Sequence, residues 1–189
     1  YIGASPTDCV ALETERSFGE LSGALAPLLE NGQVFLDRLE PPTFDNLVCY
    51  LNSYGGASML DDSDTTIPCY VVHFDGHGTY GRLCPADECG EMNEADVRKC
   101  RHCGTSLSRI KPQTYLCFCN EEGCNHYINA QSLRDLFLST DVRLAVFSAC
   151  ETATVTGELR RSERPVVDAT LATALVTAQV SAVVAMPFS

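Results

Sequence analysis

Apolar residues recur along the chain with two different spacings, which predict alternating helices and strands. From Leu12 to Leu29 they fall on one face of a helix, and Asn31-Gly32 ends it. A second helix is predicted to begin after Thr43, which follows two prolines and suits an N-cap. Short, continuously apolar runs are typical of buried parallel strands. The predicted strands cover residues 33–39, 69–74, 144–147 and 182–186, and further helices cover 129–138 and 167–177.

Alternating strands and helices predict an α/β fold, in which a parallel sheet is covered by helices on both faces. Residues 82–127 interrupt this pattern, because they are polar, rich in cysteine and short of periodic apolar residues. We therefore divide the chain into a main domain, formed by residues 1–81 and 128–189, and an inserted module. The chain opens on Tyr1-Ile2-Gly3, which resembles the tail of a strand, and stops just after the last predicted strand, so we expect the main domain to be incomplete at both ends.

Composition narrows the class of protein. The chain has 189 residues and a net charge of −12, and no apolar run approaches the roughly 20 residues that span a bilayer. Binding to nucleic acid or to a membrane surface is disfavoured, because either partner calls for a basic patch. Of the 11 cysteines, seven lie between Cys84 and Cys124. Clustered cysteines indicate metal binding in a reducing compartment, so we expect a cytoplasmic protein.

Two cysteine pairs in the insertion have the spacing of zinc knuckles. Cys84 pairs with Cys89 and Cys100 with Cys103, and a glycine that permits the knuckle's turn follows each pair. Four thiolates form the closed tetrahedral site of structural zinc, which leaves no open position for catalysis. The insertion therefore resembles a zinc ribbon. We expect it to bind Zn²⁺ as a structural ion, and we expect no cofactor for catalysis.

A second group of candidate ligands follows and predicts a second zinc site, formed by Cys117, Cys119, Cys124 and His126. Two alternatives stay open. The group could supply one knuckle to a ribbon that uses Cys100 and Cys103, leaving Cys84 and Cys89 spare. Alternatively, some of these residues are free thiols. His102, between Cys100 and Cys103, is interpreted as a solvated spacer.

Two predicted strand ends carry a base and a soft nucleophile. His77 stands between Gly76 and Gly78 after the strand at 69–74, and Cys150 follows the strand at 144–147. The carboxyl ends of parallel strands meet at one edge of a sheet, so an imidazole and a thiol there can come into contact. Each residue alone would more often be structural. Together they predict a Cys-His dyad, because a thiol is mostly protonated at neutral pH until a base or a positive charge activates it.

Both motifs resemble those of the CHAT family of caspase-like peptidases, which are relatives of caspases, metacaspases and separase. The matching segments are His73-Phe74-Asp75-Gly76-His77-Gly78 and Val146-Phe147-Ser148-Ala149-Cys150-Glu151-Thr152. The helix around residues 172–175 and the strand around 184–187 also match the family pattern. The resemblance covers nearly the whole chain outside residues 82–127. It implies a caspase-like α/β/α sandwich with a parallel sheet.

The resemblance also implies a cysteine endopeptidase that hydrolyses a specific protein substrate through a thioester acyl-enzyme. In this reading His77 is the general base and Cys150 the nucleophile. The backbone N–H groups of Gly78 and Cys150 are candidate donors to the developing oxyanion. Asp75 and Glu151 flank the dyad and would shape the substrate pocket, or they are solvated loop carboxylates. His73, earlier in the strand, is expected to be structural.

Members of this family often sit beside repeat or sensor domains and act in regulated defence or cell-death pathways. The resemblance therefore implies such domains in the same parent protein or in a partner complex. The insertion lies between the two dyad residues along the chain, so we expect it near the active-site face, where it would dock a substrate or partner. The alternative is a catalytically silent caspase-like scaffold whose zinc ribbon recruits protein partners.

Overall fold

A computed structural model of the chain describes residues 1–53, 68–151, 175 and 180–188. The helices are α1 (Thr14–Glu30), α2 (Phe44–Ser53) and α3 (Ala130–Leu138). None of the described helices is long and apolar enough to cross a membrane. The strands are β1 (Ile2–Gly3), β2 (Val71–Leu83), β3 (Met92–Asn93), β4 (Gln113–Cys119), β5 (Asn125–Asn129), β6 (Leu144–Glu151) and β7 (Ala182–Phe188).

The central sheet is mixed and has the strand order β5-β4-β2-β6-β7. β1, β6 and β7 pair with their neighbours in parallel, whereas β4 pairs antiparallel with both β2 and β5. β1 and β4 share one edge of β2: β1 pairs with Phe74 and Asp75, and β4 pairs with the stretch from His77 to Gly81. The α/β class agrees with the sequence prediction, but the expectation of a wholly parallel sheet is wrong.

Alternate residues of the strands build the hydrophobic core on one face of the sheet. Val72 and Phe74 of β2 are buried there, and the Phe74 ring lies with its centroid 4.8 Å from that of Phe118 in β4. Burying large apolar side chains is the main favourable contribution to folding. Other strands and the helices α2 and α3 complete this cluster, with Leu47, Leu51, Leu116, Ile128, Leu133, Leu136, Phe137, Ala145 and Phe147.

The three predicted helices that lie in the described ranges form close to the expected bounds. Thr43 caps α2, since its Oγ1 accepts from the backbone N–H of Asn46 at 3.1 Å. Asn129 caps α3 in the same way through Ser132. Of the helix predicted at 167–177, only Leu175 is described, and it is helical and buried. The remainder of that prediction lies outside the described residues.

The strand predicted at residues 33–39 does not form. This segment touches the start of the chain through two hydrogen bonds, from the Tyr1 amino group to Asp37 O and from Leu39 N to Tyr1 O. Two isolated bonds do not make a ladder, and the run instead lines a cavity of about 570 Å³ beside α1 and α2. Apolar residues of this segment therefore line a cavity instead of pairing with a neighbouring strand. Hydrophobicity alone does not distinguish these two outcomes.

The boundary of the insertion also differs from the prediction. β2 runs on to Leu83, and β4 and the start of β5 fall within residues 82–127 although both strands belong to the main sheet. Residues 114–119 are buried throughout, as in a strand covered on both faces. The sequence predicted metal ligands here because of Cys117 and Cys119, and it therefore gave no strand for this segment. Outside the main sheet, the module consists of residues 84–112 and connects β2 to β4.

Candidate active site and metal site

His77 and Cys150 occupy facing positions on neighbouring strands. In the parallel ladder between β2 and β6, His77 pairs with Cys150 and Gly78 pairs with Glu151. Neighbouring strands lie about 4.8 Å apart, so the register brings the two positions within reach of each other. The side chains of Cys150 and Glu151 lie outside the described part of the structure.

His77 and Cys150 lie within strands, whereas the sequence predicted that each follows the end of a strand. β2 continues through the glycine-rich stretch because it has partners on both sides, β6 and the antiparallel strand β4. Gly76 has a packing role there: a Cβ at this position would lie 2.5 Å from the Phe74 ring. The base is therefore carried on a paired strand, which restrains its backbone more than a loop would.

His77 is buried, with 5% of its surface exposed, and its ring is oriented by a backbone group. The Nε2 atom lies 2.6 Å from the carbonyl oxygen of Val10. A carbonyl oxygen can only accept, so Nε2 carries the proton, and a neutral imidazole then has its acceptor nitrogen at Nδ1. Sequence reasoning missed Val10, because a main-chain carbonyl leaves no residue-type signal.

The segment that carries Val10 is fastened at several points. The Ser5 hydroxyl accepts from Leu12 N at 3.0 Å and closes the loop on itself. Thr7 N donates to Gly123 O at 2.9 Å, and Asp8 Oδ1 accepts from Asn125 N at 2.8 Å. These bonds tie the segment to the turn between β4 and β5, so the Val10 carbonyl is held at a defined place over His77.

Cys117 lies on the other side of His77, directly across the β2–β4 ladder. It is buried, and burial, helped by the nearby Cys9, raises the pKa of its thiol to about 12. A thiol with this pKa stays protonated at neutral pH and is a poor nucleophile. Cys117 therefore forms part of the packed surroundings of His77.

The four cysteines of the predicted knuckles come together in the structure, with sulfur atoms that all lie within 4.8 Å of one another. The Sγ atoms of Cys84 and Cys103 are 3.5 Å apart, and those of Cys89 and Cys100 are 3.7 Å apart. A tetrahedral zinc ion with Zn–S bonds of about 2.3 Å places its ligands about 3.8 Å apart. A disulfide would need about 2.05 Å. The observed spacing fits a metal site.

Hydrogen bonds favour the thiolate form, which a metal requires, at two of the four sulfurs. Backbone hydrogen bonding from Cys103 lowers the pKa of the Cys100 thiol to about 6. Cys103 Sγ lies 3.1 Å from the Thr105 hydroxyl, and this hydrogen bond lowers the pKa of the Cys103 thiol. In Cys84 and Cys89, backbone hydrogen bonds from Ala86 and Glu91 lower the pKa, but desolvation and hydrogen bonds with other knuckle sulfurs outweigh them and raise it. Gly90 and Gly104, after the two pairs, have positive φ angles of 54° and 74°, as the knuckle turns were expected to require.

The family model of the CHAT domain matches residues 6–189. The chain belongs to the CHAT domain family. This family is associated with caspase-like cysteine peptidases. Comparison with the curated proteins and with the solved structures gives no significant match to this chain.

The predicted second zinc site is not assembled in this CHAT domain. Among the described residues, the four knuckle cysteines are the one group of three or more candidate ligands within 4.8 Å of each other. His126 pairs with Phe118, whereas Cys117 and Cys119 are one residue away on either side along β4. Successive residues of a strand point to opposite faces, so His126 is directed away from the two thiols. Nor do Cys84 and Cys89 stand spare, since they complete the first site.

His73 and Asp75 lie further back along β2 and make internal contacts. His73 Nε2 is 3.3 Å from the Ser148 hydroxyl, in keeping with a structural role. The Tyr1 hydroxyl lies 2.8 Å from Asp75 Oδ2 and 3.0 Å from the Thr14 carbonyl oxygen. These bonds give the Asp75 carboxylate a partner without any substrate. Its place in a substrate pocket stays a prediction, as does that of Glu151.

Proposed function

We propose that this CHAT domain is a cysteine endopeptidase of caspase-like architecture, with His77 as general base and Cys150 as nucleophile. The main support is the register that sets the two residues opposite each other. The hydrogen bond from His77 Nε2 to the Val10 carbonyl adds to it, because the neutral ring then has its basic nitrogen at Nδ1. If His77 served only in packing, the residue at the facing position would not need to be a cysteine.

The reaction follows from these two groups. Cys150, having given its proton to His77, attacks the carbonyl carbon of the scissile peptide bond. The backbone N–H groups of Gly78 and Cys150 are the proposed donors to the oxyanion. The tetrahedral intermediate collapses to a thioester, and the leaving amine takes the proton from His77. His77 then removes a proton from water, which attacks the thioester and releases the acid product and the free thiol.

Zinc in this proposal is structural and stands outside the reaction. Cys84, Cys89, Cys100 and Cys103 would hold it, and four protein ligands leave no position for substrate. Bound zinc would supply folding free energy to a module whose own apolar cluster is small, built around Cys84, Cys100 and Leu107.

The biological setting is proposed from the family and from the cysteine usage. We expect a specific protein as the substrate, in the cytoplasm, and regulation by sensor or repeat domains of the parent protein or of a partner complex. We also expect the pathway to be one of defence or cell death. The association of the family with caspase-like peptidases supports this setting.

The proposal is tested by covalent labelling and by cleavage. The full-length parent is treated with a set of peptidyl acyloxymethyl ketones, which trap a nucleophilic cysteine, and is assayed on a fluorogenic peptide library. We expect label on the peptide that contains Cys150 and none in Cys150→Ala, with cleavage lost in that variant. We expect His77→Ala to reduce cleavage by roughly 10²–10⁴-fold, the usual contribution of a general base.

Cys49→Ala is the matched control, since Cys49 is exposed on α2. It should keep both the label and the activity. Cleavage by Cys150→Ala at the wild-type rate would refute the mechanism. A folded wild-type protein that neither cleaves nor takes the label would favour the silent scaffold instead.

A further inference from the structure

The zinc module is the connection between the two strands that meet at His77. β2 enters it at Leu83 and β4 leaves it at Gln113, and the two strands then pair antiparallel from Gly81–Gln113 to His77–Cys117. The module therefore closes a long hairpin whose far pair contains the proposed base. Cys84, the first metal ligand, follows β2 directly. A structural change in the module can therefore be transmitted along β2 to His77.

Arg82 fastens β2 to the interior of the module. Its Nε donates to Ala95 O at 2.7 Å, and its Nη1 donates to Leu107 O at 3.1 Å and also to Ile110 O. One guanidinium thus satisfies three backbone carbonyls, a use that suits its planar array of donors. The contacted residues flank the second cysteine pair on both sides. The position of Arg82 and the folding of this pair are therefore linked.

Asn93 extends this link to a metal ligand. It is 2% exposed, pairs with Arg82 in the short β2–β3 ladder, and its Nδ2 lies 3.7 Å from Cys100 Sγ. Its Oδ1 accepts from Arg101 N at 2.9 Å, inside the second knuckle. The contact with β2 is tight, since a Cβ added at Gly81 would lie 2.3 Å from Asn93 O. A continuous set of contacts therefore runs from the metal site to the strand of His77.

We infer that Arg82 and Asn93 are positioning residues that couple metal binding by the four cysteines to the order of β2 at His77. With zinc bound, the knuckle backbone is fixed, and Arg82 and Asn93 hold β2 in the ladder with β4. Without zinc, the sulfurs lose their common ligand, the carbonyls that Arg82 contacts lose their fixed positions, and the 77–81 stretch opens more often. The consequence for activity rests on the proposed function, whereas the coupling itself does not.

Hydrogen exchange of the full chain tests the coupling directly. Backbone amides at 77–83 and 113–117 are followed by mass spectrometry in zinc-loaded protein and after removal of zinc by a chelator. We expect exchange there to rise by about 10-fold or more on zinc removal, as local opening becomes easier. Amides at 144–148 of β6, which pair with Val71–Asp75 away from the stretch that opens, should change much less. Unchanged exchange at 77–83 would overturn the inference.

Variants of Arg82 distinguish the effect of its contacts from the effect of zinc binding. Arg82→Ala should keep one equivalent of zinc yet exchange rapidly at 77–83 even when loaded, and Arg98→Ala, which removes an exposed charge from the same module, should behave as wild type. Arg82→Lys is the milder second variant, because one ammonium cannot reproduce the three donations, and it should fall between the two. Wild-type protection in both Arg82 variants would refute the positioning role.

Activity is read in the same samples. If the coupling appears and no state of the protein cleaves peptides or takes the label, the proposed peptidase function fails and this inference stands. If the zinc-loaded enzyme is active but neither zinc removal nor Arg82→Ala changes exchange or cleavage, the inference fails and the peptidase function stands.

Discussion

At the scale of single residues, the environment separates two histidines of the same strand. His77 is buried and directs Nε2 at a main-chain carbonyl, opposite a cysteine position. His73, four residues earlier, contacts the Ser148 hydroxyl and makes a T-shaped contact with the Tyr1 ring. Residue type and strand are the same for both, so what lies next to each ring is what distinguishes them.

Burial of His73 leads to a prediction about pH. Desolvation lowers the pKa of His73 below its ordinary value of 6.5, with the Asp75 charge opposing and the Tyr1 amino group adding to the shift. The unfolded chain therefore takes up this proton first as the pH falls. The contribution of neutral His73 to the free energy of unfolding is therefore fully present above about pH 6.5, and it is lost as the pH falls through the lower pKa of the folded state.

His73→Gln should accordingly lose less stability than the wild type between about pH 7 and pH 5, as measured by urea unfolding. His126→Gln is the control, since His126 is exposed. It should follow the wild-type pH dependence. Equal slopes for His73→Gln and the wild type would contradict the prediction.

At the scale of elements, β2 is held as a strand by its neighbours. Glycine has a low intrinsic preference for strands, yet Gly76, Gly78 and Gly81 all lie within β2. Close approach explains two of them, since a Cβ at Gly76 would strike the Phe74 ring and one at Gly81 would strike Asn93 O. These glycines weaken the local preference for a strand and at the same time permit the packing that stabilises it.

Two glycine-to-alanine substitutions should therefore act in opposite directions. Gly81→Ala brings a Cβ within 2.3 Å of a backbone oxygen, so we expect a loss of about 1–3 kcal/mol in the free energy of unfolding. Gly23→Ala on α1 meets nothing within 4 Å and should stabilise the protein by about 0.5–1 kcal/mol. Denaturant unfolding measures both. A Gly81→Ala protein as stable as the wild type would show that β3 can move away at little cost.

At the scale of the whole molecule, metal binding and the main domain meet in one hairpin. The four sulfurs form a single site, while the cysteines of β4 are enclosed in the sheet. Zinc bound by the four sulfurs would close the connection between β2 and β4, so its loss is expected to affect the main domain and not the module alone.

The metal content follows from the same arrangement. We expect about one zinc per chain in protein purified without chelator, because four thiolates make one closed site. Cys103→Ser should lower this content strongly. Cys124→Ser should leave the zinc content unchanged, since Cys124 belongs to the predicted second site, whose residues do not come together in the structure. Elemental analysis of the wild type and the two variants measures the zinc content. Two zinc ions in the wild type, with one lost in Cys124→Ser, would support the second zinc site and contradict this prediction.

Local sequence was sufficient for several features of this CHAT domain. The described helices formed where the apolar spacing predicted them, and Thr43 caps α2 as the sequence predicted. The knuckle cysteines and their glycines indicated the cluster that the structure brings together. The motifs around His77 and Cys150 marked a pair of neighbouring strands. In each case the responsible interactions lie within a few residues along the chain, or the chemistry requires particular residue types.

Tertiary structure decided the features that depend on distant pairing. The histidine motif forms a strand because it pairs with both β6 and β4, and the sequence places β4 in the insertion because residues 82–127 are polar and rich in cysteine. His126 was separated from Cys117 and Cys119 by the alternation of side chains along paired strands. The Val10 carbonyl reached His77 only because the segment before α1 folds back over the sheet. The sequence by itself determined which groups are present and the local turns; long-range backbone hydrogen bonds and packing, which no local pattern encodes, determined which of these groups meet.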